Sequence, residues 1–402
     1  MKILILSTWF PYPLNQGSKI RAFFLIKALA ENHEITLISF EDAPIQPEWK
    51  EEIHKYCKEI IIFPKQPFAY QKTKLLLGFF STKPSTVFAG YSKDFEALVL
   101  QTAKQRNPDL IFAFTFVTAP YALKTDIPLK VVDADNLLAF MLYENYQLAQ
   151  GLLQKLRRYM AYIKFKNYES NIYRHFDRCL VVSEKDVDRI KTYIPFTDQQ
   201  VLNVPNGVNT QTHKPGTIAK QKKQIIYNGA MTYYPNYDAM FFFLKDIFPR
   251  ILHQLPGTQL NITGKTQGVP IENLPMTKNV RLTGYLPDIR PIVSSSSVCI
   301  VPLRQGAGTR LKILEAMALG TAVVSTTKGA EGLSVENGIH LLIADTPEKF
   351  AKAVIQLMED EELNQKIVQN ALSLVQNIYN WDQIGANFAQ QISNLSNIKN
   401  HA

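Results

Sequence analysis

The sequence predicts an α/β protein of two doubly wound, Rossmann-like domains. Three observations carry that prediction. At 402 residues the chain exceeds the roughly 250–300 residues over which one hydrophobic core keeps growing. Short apolar runs alternate with helical stretches, the pattern of parallel sheets wrapped by helices. That alternation stops in a polar stretch and then starts afresh. Hydrophobic content of 46% and charged content of 20% are ordinary for globular domains.

In the first half, strands are expected at 3–7, 35–40, 60–63, 110–114, 131–133, 180–183 and 201–204. A helix is expected over 18–31, where Ile20, Phe23, Phe24 and Lys27 follow helical spacing. A long helical region is expected over 138–175. Residues 210–223, TQTHKPGTIAKQKK, are polar, lysine-rich and broken by Pro and Gly, as suits an exposed linker. Beyond it, strands are expected at 225–228, 259–263, 280–283, 298–301, 322–325 and 341–343. The helices there fall at 237–255, 289–294, 309–319, 347–359 and 362–377. The domains are therefore expected at 1–205 and 224–380, with 206–223 as linker. A last helix follows Trp381, reaching 402 and packing back on the first domain.

Composition narrows the function. Cys57, Cys179 and Cys299 stand far apart, each in or beside an apolar run, so buried reduced thiols and a cytoplasmic setting are expected. The opening apolar run is short and is followed by Pro11 and Pro13 without a cleavage site, unlike a signal peptide. No run approaches the ~18 apolar residues of a spanning helix, so membrane association is expected to be peripheral. The net charge of +9 is spread without a nucleic-acid-binding motif, and anionic ligands or acidic lipid surfaces explain it better. Seven histidines show no metal-ligand spacing, and no metal requirement is expected. The stretch 154–174 mixes basic residues with tyrosines and aliphatics. A core face opposite a solvated face is the expectation, with an anionic lipid surface as the alternative.

One segment points to chemistry. In GAGTRLKILEAMALG, residues 306–320, a glycine-rich turn after a strand leads into a helix. Such a turn presents backbone amides and the positive end of the helix dipole. Arg310 and Lys312 add two cations where cations are unfavourable unless an anion binds there. A guanidinium fork suits phosphate, and Glu315 suits ribose hydroxyls.

Two further places stand out in the first half. Gly17 and Ser18 precede a helix, either as a second phosphate-facing amide cluster or as turn punctuation with Ser18 as N-cap. Lys19 and Arg21 read as solvated. In DADN, residues 133–136, a strand ends where such sheets open their crevice. There Asp135 either faces the crevice as a functional carboxylate or caps the next helix.

The stretch VPLRQGAGTRLKILEAMALGTAVVSTTKGAEGL resembles the donor-binding region of glycosyltransferase family 4, the retaining enzymes of GT-B fold. It is particularly similar to a bacterial branch carrying a GGGTRLKILEAMA-type motif. The N-terminal MKILILSTWFPYPLNQGSKIRAFFLIKAL, together with LVVSEKD, VPNGVN, YNGAMTYYPN and GYLPDIRPIV, matches in order, so the resemblance covers nearly the whole chain. It implies two Rossmann-like domains facing a central cleft. It also implies a UDP- or GDP-sugar donor and a glycan, lipid-linked or small-molecule acceptor. The donor would touch Gly229, Gly306, Ala307, Gly308, Thr309, Arg310, Leu311, Lys312 and Glu315 on the second domain. Gly17 and Ser18 would meet it from the first.

Two departures matter. The family's Glu-x7-Glu pair has its second carboxylate in Glu315, but its first position holds Ala307, leaving the sugar without its usual carboxylate. GAMTYYPN lacks the Arg and Lys that many relatives place on the diphosphate, and Arg310 and Lys312 are the candidate replacements. Where many relatives read DxHN, Asp135 takes the histidine's place, and the resemblance implies that it positions an acceptor hydroxyl or balances charge on the sugar ring. The resemblance implies a retaining sugar transfer in polysaccharide, glycolipid or envelope glycan synthesis. A nucleotide-sugar epimerase or hydrolase of the same fold, or a non-catalytic nucleotide-sugar-binding subunit, remains as an alternative.

Overall fold

The computed structural model describes all residues except 69, 71, 198, 307 and 400–402. Its chain divides into two compact units, Met1–Pro205 with Ile384–Ala402, and Asn206–Gln383.

In the first unit, seven strands form one parallel sheet: β1 (Lys2–Ser7), β2 (Glu34–Phe40), β3 (Glu59–Phe63), β4 (Leu110–Phe114), β5 (Leu129–Asp133), β6 (Arg178–Val181) and β7 (Val201–Asn203). Their order is β3-β2-β1-β4-β5-β6-β7. Strands such as LIFAF in β4 are buried along their whole length, as expected for a sheet covered on both faces by helices. Phe95, Phe112 and Tyr121 are among the largest fully buried side chains. β1 pairs with β2 on one side and β4 on the other, so the strand order reverses there. Ligands of open α/β sheets bind outside the carboxyl ends of strands at such a reversal.

The second unit repeats the plan with β8 (Gln221–Asn228), β9 (Gln259–Thr263), β10 (Val280–Gly284), β11 (Ser296–Val301), β12 (Ala322–Ser325) and β13 (Leu342–Ile343). Their order is β10-β9-β8-β11-β12-β13, with the reversal between β8 and β11. Residues 206–220 belong to this unit. From Ile384 the final helix, Trp381–Lys399, is part of the first unit, where Gly385 lies tight against Ala28 and Phe388 meets Phe112.

Two helical expectations change. The region 138–175 is broken into Leu138–Gln147 and Leu152–Tyr173, because Gly151 turns the chain at φ 85°, a conformation open to glycine. The donor-motif helix starts at Leu311 rather than at 309. Gly306 and Gly308, at φ 107° and 81°, hold the preceding residues in a turn.

Candidate functional site

In the second unit the site grows from the reversal point. Strand β11 leads through Pro302 into the glycine turn and then the helix Leu311–Ala318. Arg304 anchors the turn's start by a forked pair to Asp238 at 2.6 and 3.1 Å. Arg310 is buried at the helix entrance, and its Nη1 donates to Gly308 O at 2.6 Å. Its guanidinium therefore braces the turn from within. Thr309 Oγ1 is buried there and makes no hydrogen bond. Ala307 lies outside the described residues. Gly306 is confined as well as turned, since a Cβ there would stand 3.3 Å from both Arg310 Nη2 and Tyr233 OH.

Lys312, one turn in, points back to the end of β8. Its Nζ donates to Tyr227 OH at 2.9 Å and Asn236 Oδ1 at 3.1 Å, and lies 4.0 Å from the Tyr227 ring centre. Tyr227 OH also donates to Asn236 Oδ1, at 2.7 Å, so tyrosine, asparagine and lysine form one knot. All of these oxygens are neutral. Burial, with the Arg310 charge nearby, brings the Lys312 ammonium down to about 7. Gly229 permits this arrangement, because a Cβ there would sit 2.5 Å from Lys312 Nζ. Gly264, at φ 109°, brings the end of β9 equally close, and a Cβ on it would meet the Gly229 carbonyl at 2.6 Å.

Glu315 lies on the same helix one turn further on. Asn228 Nδ2 donates to its Oε2 at 3.0 Å, and the Cys299 thiol contacts Asn228 Oδ1 at 3.7 Å. Burial pushes the Glu315 carboxyl up, while Lys312 and Asn228 pull it back. The carboxylate keeps acceptor capacity beyond its one donor. Gly229, Gly306, Gly308, Thr309, Arg310, Leu311, Lys312 and Glu315 thus gather at one end of the sheet. Tyr227, Asn228 and Asn236, which hold the charged members, are absent from the sequence-based set. Tyr227 and Asn236 bound the quoted YNGAMTYYPN piece, but residue type alone gives no sign of their role.

The first unit has its own cluster, where three sequence readings are corrected. The helix after β1 spans Gly17–Ala30 and its N-cap position is Gln16, with no side-chain cap. Ser18 is therefore not the cap, and its hydroxyl donates to Asp135 Oδ2 at 3.2 Å. Lys19 and Arg21 are buried rather than solvated. Lys19 pairs with Asp42 at 2.7 Å. Arg21 grips Asp133 through Nε and Nη2 at 2.7–3.0 Å and donates Nη1 to Val204 O at 2.7 Å. Nor does Asp135 cap the next helix, whose flanking residue Leu137 has no side-chain cap. Glu169 takes that part instead, accepting from Leu138 N and Ala139 N and from Tyr193 OH.

Asp135 thus has a setting of its own. It accepts from Ser18 and from Asn136 Nδ2 at 3.1 Å. Burial, with the Asp133 charge close by, pushes its carboxyl up to about 7. A carboxyl at that value exchanges protons near neutrality, as acid–base chemistry requires. The sequence also gave no notice of Thr115. It follows β4 at the reversal point with φ 73°, a strained conformation for a β-branched residue. Its Oγ1 lies 2.8 Å from Thr8 Oγ1. Among the described residues, no three His, Cys, Asp or Glu side chains stand close enough together to hold a metal.

Comparison with known proteins agrees with both sheets. Residues 16–212 match the family model of Glycosyltransferase Family 4, and residues 222–360 match that of Glycosyl transferases group 1. The chain is a glycosyltransferase family 4-like protein, and its two Rossmann-like units are those of the GT-B fold. It is 20% identical over 401 residues to a 44.6 kDa protein of the cps region of Klebsiella pneumoniae, covering 94% of this chain and 96% of that protein. Among solved structures it is similar to sucrose-phosphate synthase from Thermosynechococcus elongatus. There the TM-score is 0.73 at 18% identity, covering 99% of this chain and all of that one. It is also similar to Anabaena HepE in complex with UDP and glucose, with a TM-score of 0.67 at 16% identity, covering 98% and 100%.

Proposed function

We propose that the protein transfers a sugar from a UDP- or GDP-linked donor to an acceptor hydroxyl, with retention of configuration and without a metal ion. The donor sits on the second unit and the acceptor on the first. The setting is the cytoplasmic synthesis of a bacterial polysaccharide, glycolipid or envelope glycan. The retaining outcome and the pathway rest on the sequence resemblance, and the uridine nucleotide of the HepE complex supports the donor class.

The observation that carries this reading is Lys312, a cation held among neutral oxygens beside a glycine turn. A half-buried ammonium whose hydrogen bonds go to neutral oxygens, with the Glu315 carboxyl only at longer range, gains from a further anion, and a diphosphate is the anion that the turn's amides also suit. In the ligand complex, the third N–H of Lys312 and the amides of Gly308 and Thr309 would stabilise charge building on the leaving diphosphate. Arg310 holds that turn in shape and adds its charge. Thr309 Oγ1, buried without a partner, is a further group for a phosphate oxygen to satisfy. Glu315, fixed by Asn228, takes the ribose hydroxyls. Gly17 and Ser18 are the first unit's candidates for a phosphate contact, and Asp135 positions the acceptor hydroxyl.

The test is to incubate the purified protein with a panel of UDP- and GDP-sugars, with and without candidate acceptors, and to follow free nucleoside diphosphate. Release that an acceptor accelerates is the expected result. Tight binding without turnover in every combination would replace the enzyme with a nucleotide-sugar-binding subunit. Sugar released or isomerised without any acceptor would mark a hydrolase or an epimerase.

A further inference from the structure

Several large apolar side chains of the first unit are exposed, and they cluster in two segments. One is the end of the helix Lys72–Phe79 and the residue after it, where Leu76, Leu77 and Phe79 are exposed and Phe80 is 82% exposed. The other is the N-terminal half of the helix Leu152–Tyr173, where Leu152 and Leu153 are 86% and 84% exposed and Leu156 follows. The core face expected for residues 154–174 is present, and the exposed leucines stand just before that stretch and at its start. Phe165, Tyr168 and Tyr173 do face the core, but the first two turns present leucines to water.

The two segments share a side of the unit. At 3.6 residues per turn, Leu153, Arg157, Met160 and Lys164 fall within about 60° of one another around the helix axis. Lys164 Nζ reaches Phe79 O at 2.6 Å and stands over the Phe79 ring. The stripe that begins at Leu153 therefore ends against the Leu76–Phe80 ridge.

Charge says what covers this face. Residues 66–90 carry Lys72, Lys74 and Lys83, and residues 148–168 carry Lys155, Arg157, Arg158, Lys164 and Lys166. Neither segment contains an Asp or a Glu. These eight cations equal all but one of the net charge of +9, yet the segments are a small part of the chain. Glu169, the acidic residue of the helix Leu152–Tyr173, is buried and bonded to the backbone of 138 and 139. Alongside lie four tyrosines: Tyr143 and Tyr162 with ring centres 5.2 Å apart, and Tyr146 and Tyr159 at 5.3 Å. Tyr143 and Tyr159 are exposed. Exposed leucines and phenylalanines, cations in large excess over the one carboxylate of the tyrosine helix, Glu144, and tyrosines with polar tips are the three components of an interfacial lipid-binding surface.

We propose that this face docks the first unit on an anionic lipid bilayer. The leucines and Phe80 enter the headgroup–acyl boundary, and the lysines and arginines lie against lipid phosphates. The proposal gives the peripheral membrane association expected from the sequence its surface and its lipid class. It depends on none of the transfer chemistry.

The test is co-sedimentation of the full chain with vesicles of phosphatidylcholine alone or mixed with phosphatidylglycerol. UDP-sugar binding is measured in parallel as the check on folding, and light scattering without lipid reports self-association. Partitioning at least about tenfold stronger on the anionic vesicles, weakened by salt, is expected. Loss of about tenfold is expected for the triple variant Leu152→Gln, Leu153→Gln, Leu156→Gln. A comparable loss is expected for the double variant Lys155→Glu, Arg157→Glu, and both should keep wild-type donor binding. Equal partitioning on the two vesicles, no partitioning at all, or an unaffected leucine variant would each overturn the proposal. So would a dimer in the absence of lipid that the leucine variant dissolves, since the face would then belong to a second copy. Failure of donor turnover with intact vesicle binding would overturn the transfer reading and leave this one standing.

Discussion

The turn that follows β1 and the turn that follows β11 occupy equivalent places, each leaving a sheet at its reversal point and entering a helix. They treat positive charge in opposite ways. After β1, the two cations that open the helix are matched by carboxylates at or just past the ends of other strands, Lys19 by Asp42 and Arg21 by Asp133. After β11, the hydrogen bonds of Lys312 among the described residues go to a phenol and an amide oxygen, with the Glu315 carboxyl acting at longer range. The first turn is thus a closed electrostatic joint that locks helix to strand. The second leaves its lysine without a bonded carboxylate among the described residues, which is why the proposed diphosphate is placed there. Two stretches that look alike as glycine-containing, basic helix openings thus differ in how their cations are matched.

The sharpest way to break this contrast is to remove one cation from each turn. Arg21→Ala leaves Asp133 buried and unpaired, and should cost about 3–5 kcal/mol of stability, read as a large fall in Tm. Lys312→Met should leave the fold intact and even favour it below about pH 7, where the wild type must bury a charge. Its affinity for a UDP- or GDP-sugar should drop by about 1.5–3 kcal/mol, measured by calorimetry. A severe loss of stability in Lys312→Met with no change in affinity would put the two turns in one class.

Acidity gives the next test. With Lys312 at about 7 when free, a bound diphosphate raises its value, so binding takes up a proton above that pH. Nucleotide-sugar affinity should then be full below about pH 7 and fall by up to about tenfold per unit above it. Lys312→Met should lose this dependence.

Asp135 offers a smaller effect, read on stability rather than affinity. Its folded value of about 7 lies above that of a free carboxyl. Its ionisation therefore costs stability above about pH 7 and nothing below about 3.9. Asp135→Asn should raise Tm by about 2–4 °C at pH 8, leave it unchanged at pH 4, and lower turnover far more than donor affinity. Smallest of all should be Gly229→Ala. The new methyl displaces the flexible end of Lys312, so stability should change by under about 1 kcal/mol while donor affinity weakens by a fewfold.

How much of this was legible in the chain differs between the two turns. Around β11 the glycines, Arg310, Lys312 and Glu315 lie within ten residues, and local spacing is enough to bring them together. Around β1 the sequence misled, because the partners of Lys19 and Arg21 are 23 and 112 positions away. A basic residue at a helix start looks solvated until the sheet closes over it. Glu169 is a similar case. It lies in a stretch dominated by lysine, arginine and tyrosine, and its role at the 138–139 backbone depends on two helices packing together.

By itself, the sequence determined the alternation of strands and helices, the restart after the polar stretch, and the glycine turn that suits a diphosphate. These follow from local periodicity and backbone freedom, which act over a few residues. Only the tertiary structure decided which charges are matched and which stand open. Lys312 met its neutral partners when β8 placed Tyr227, and the helix after it Asn236, beside it, and the Asp135 carboxyl was pushed up when Asp133 and the helix of Ser18 closed around it. Charge depends on the dielectric and on neighbours in space, and the order of residues along a chain encodes neither.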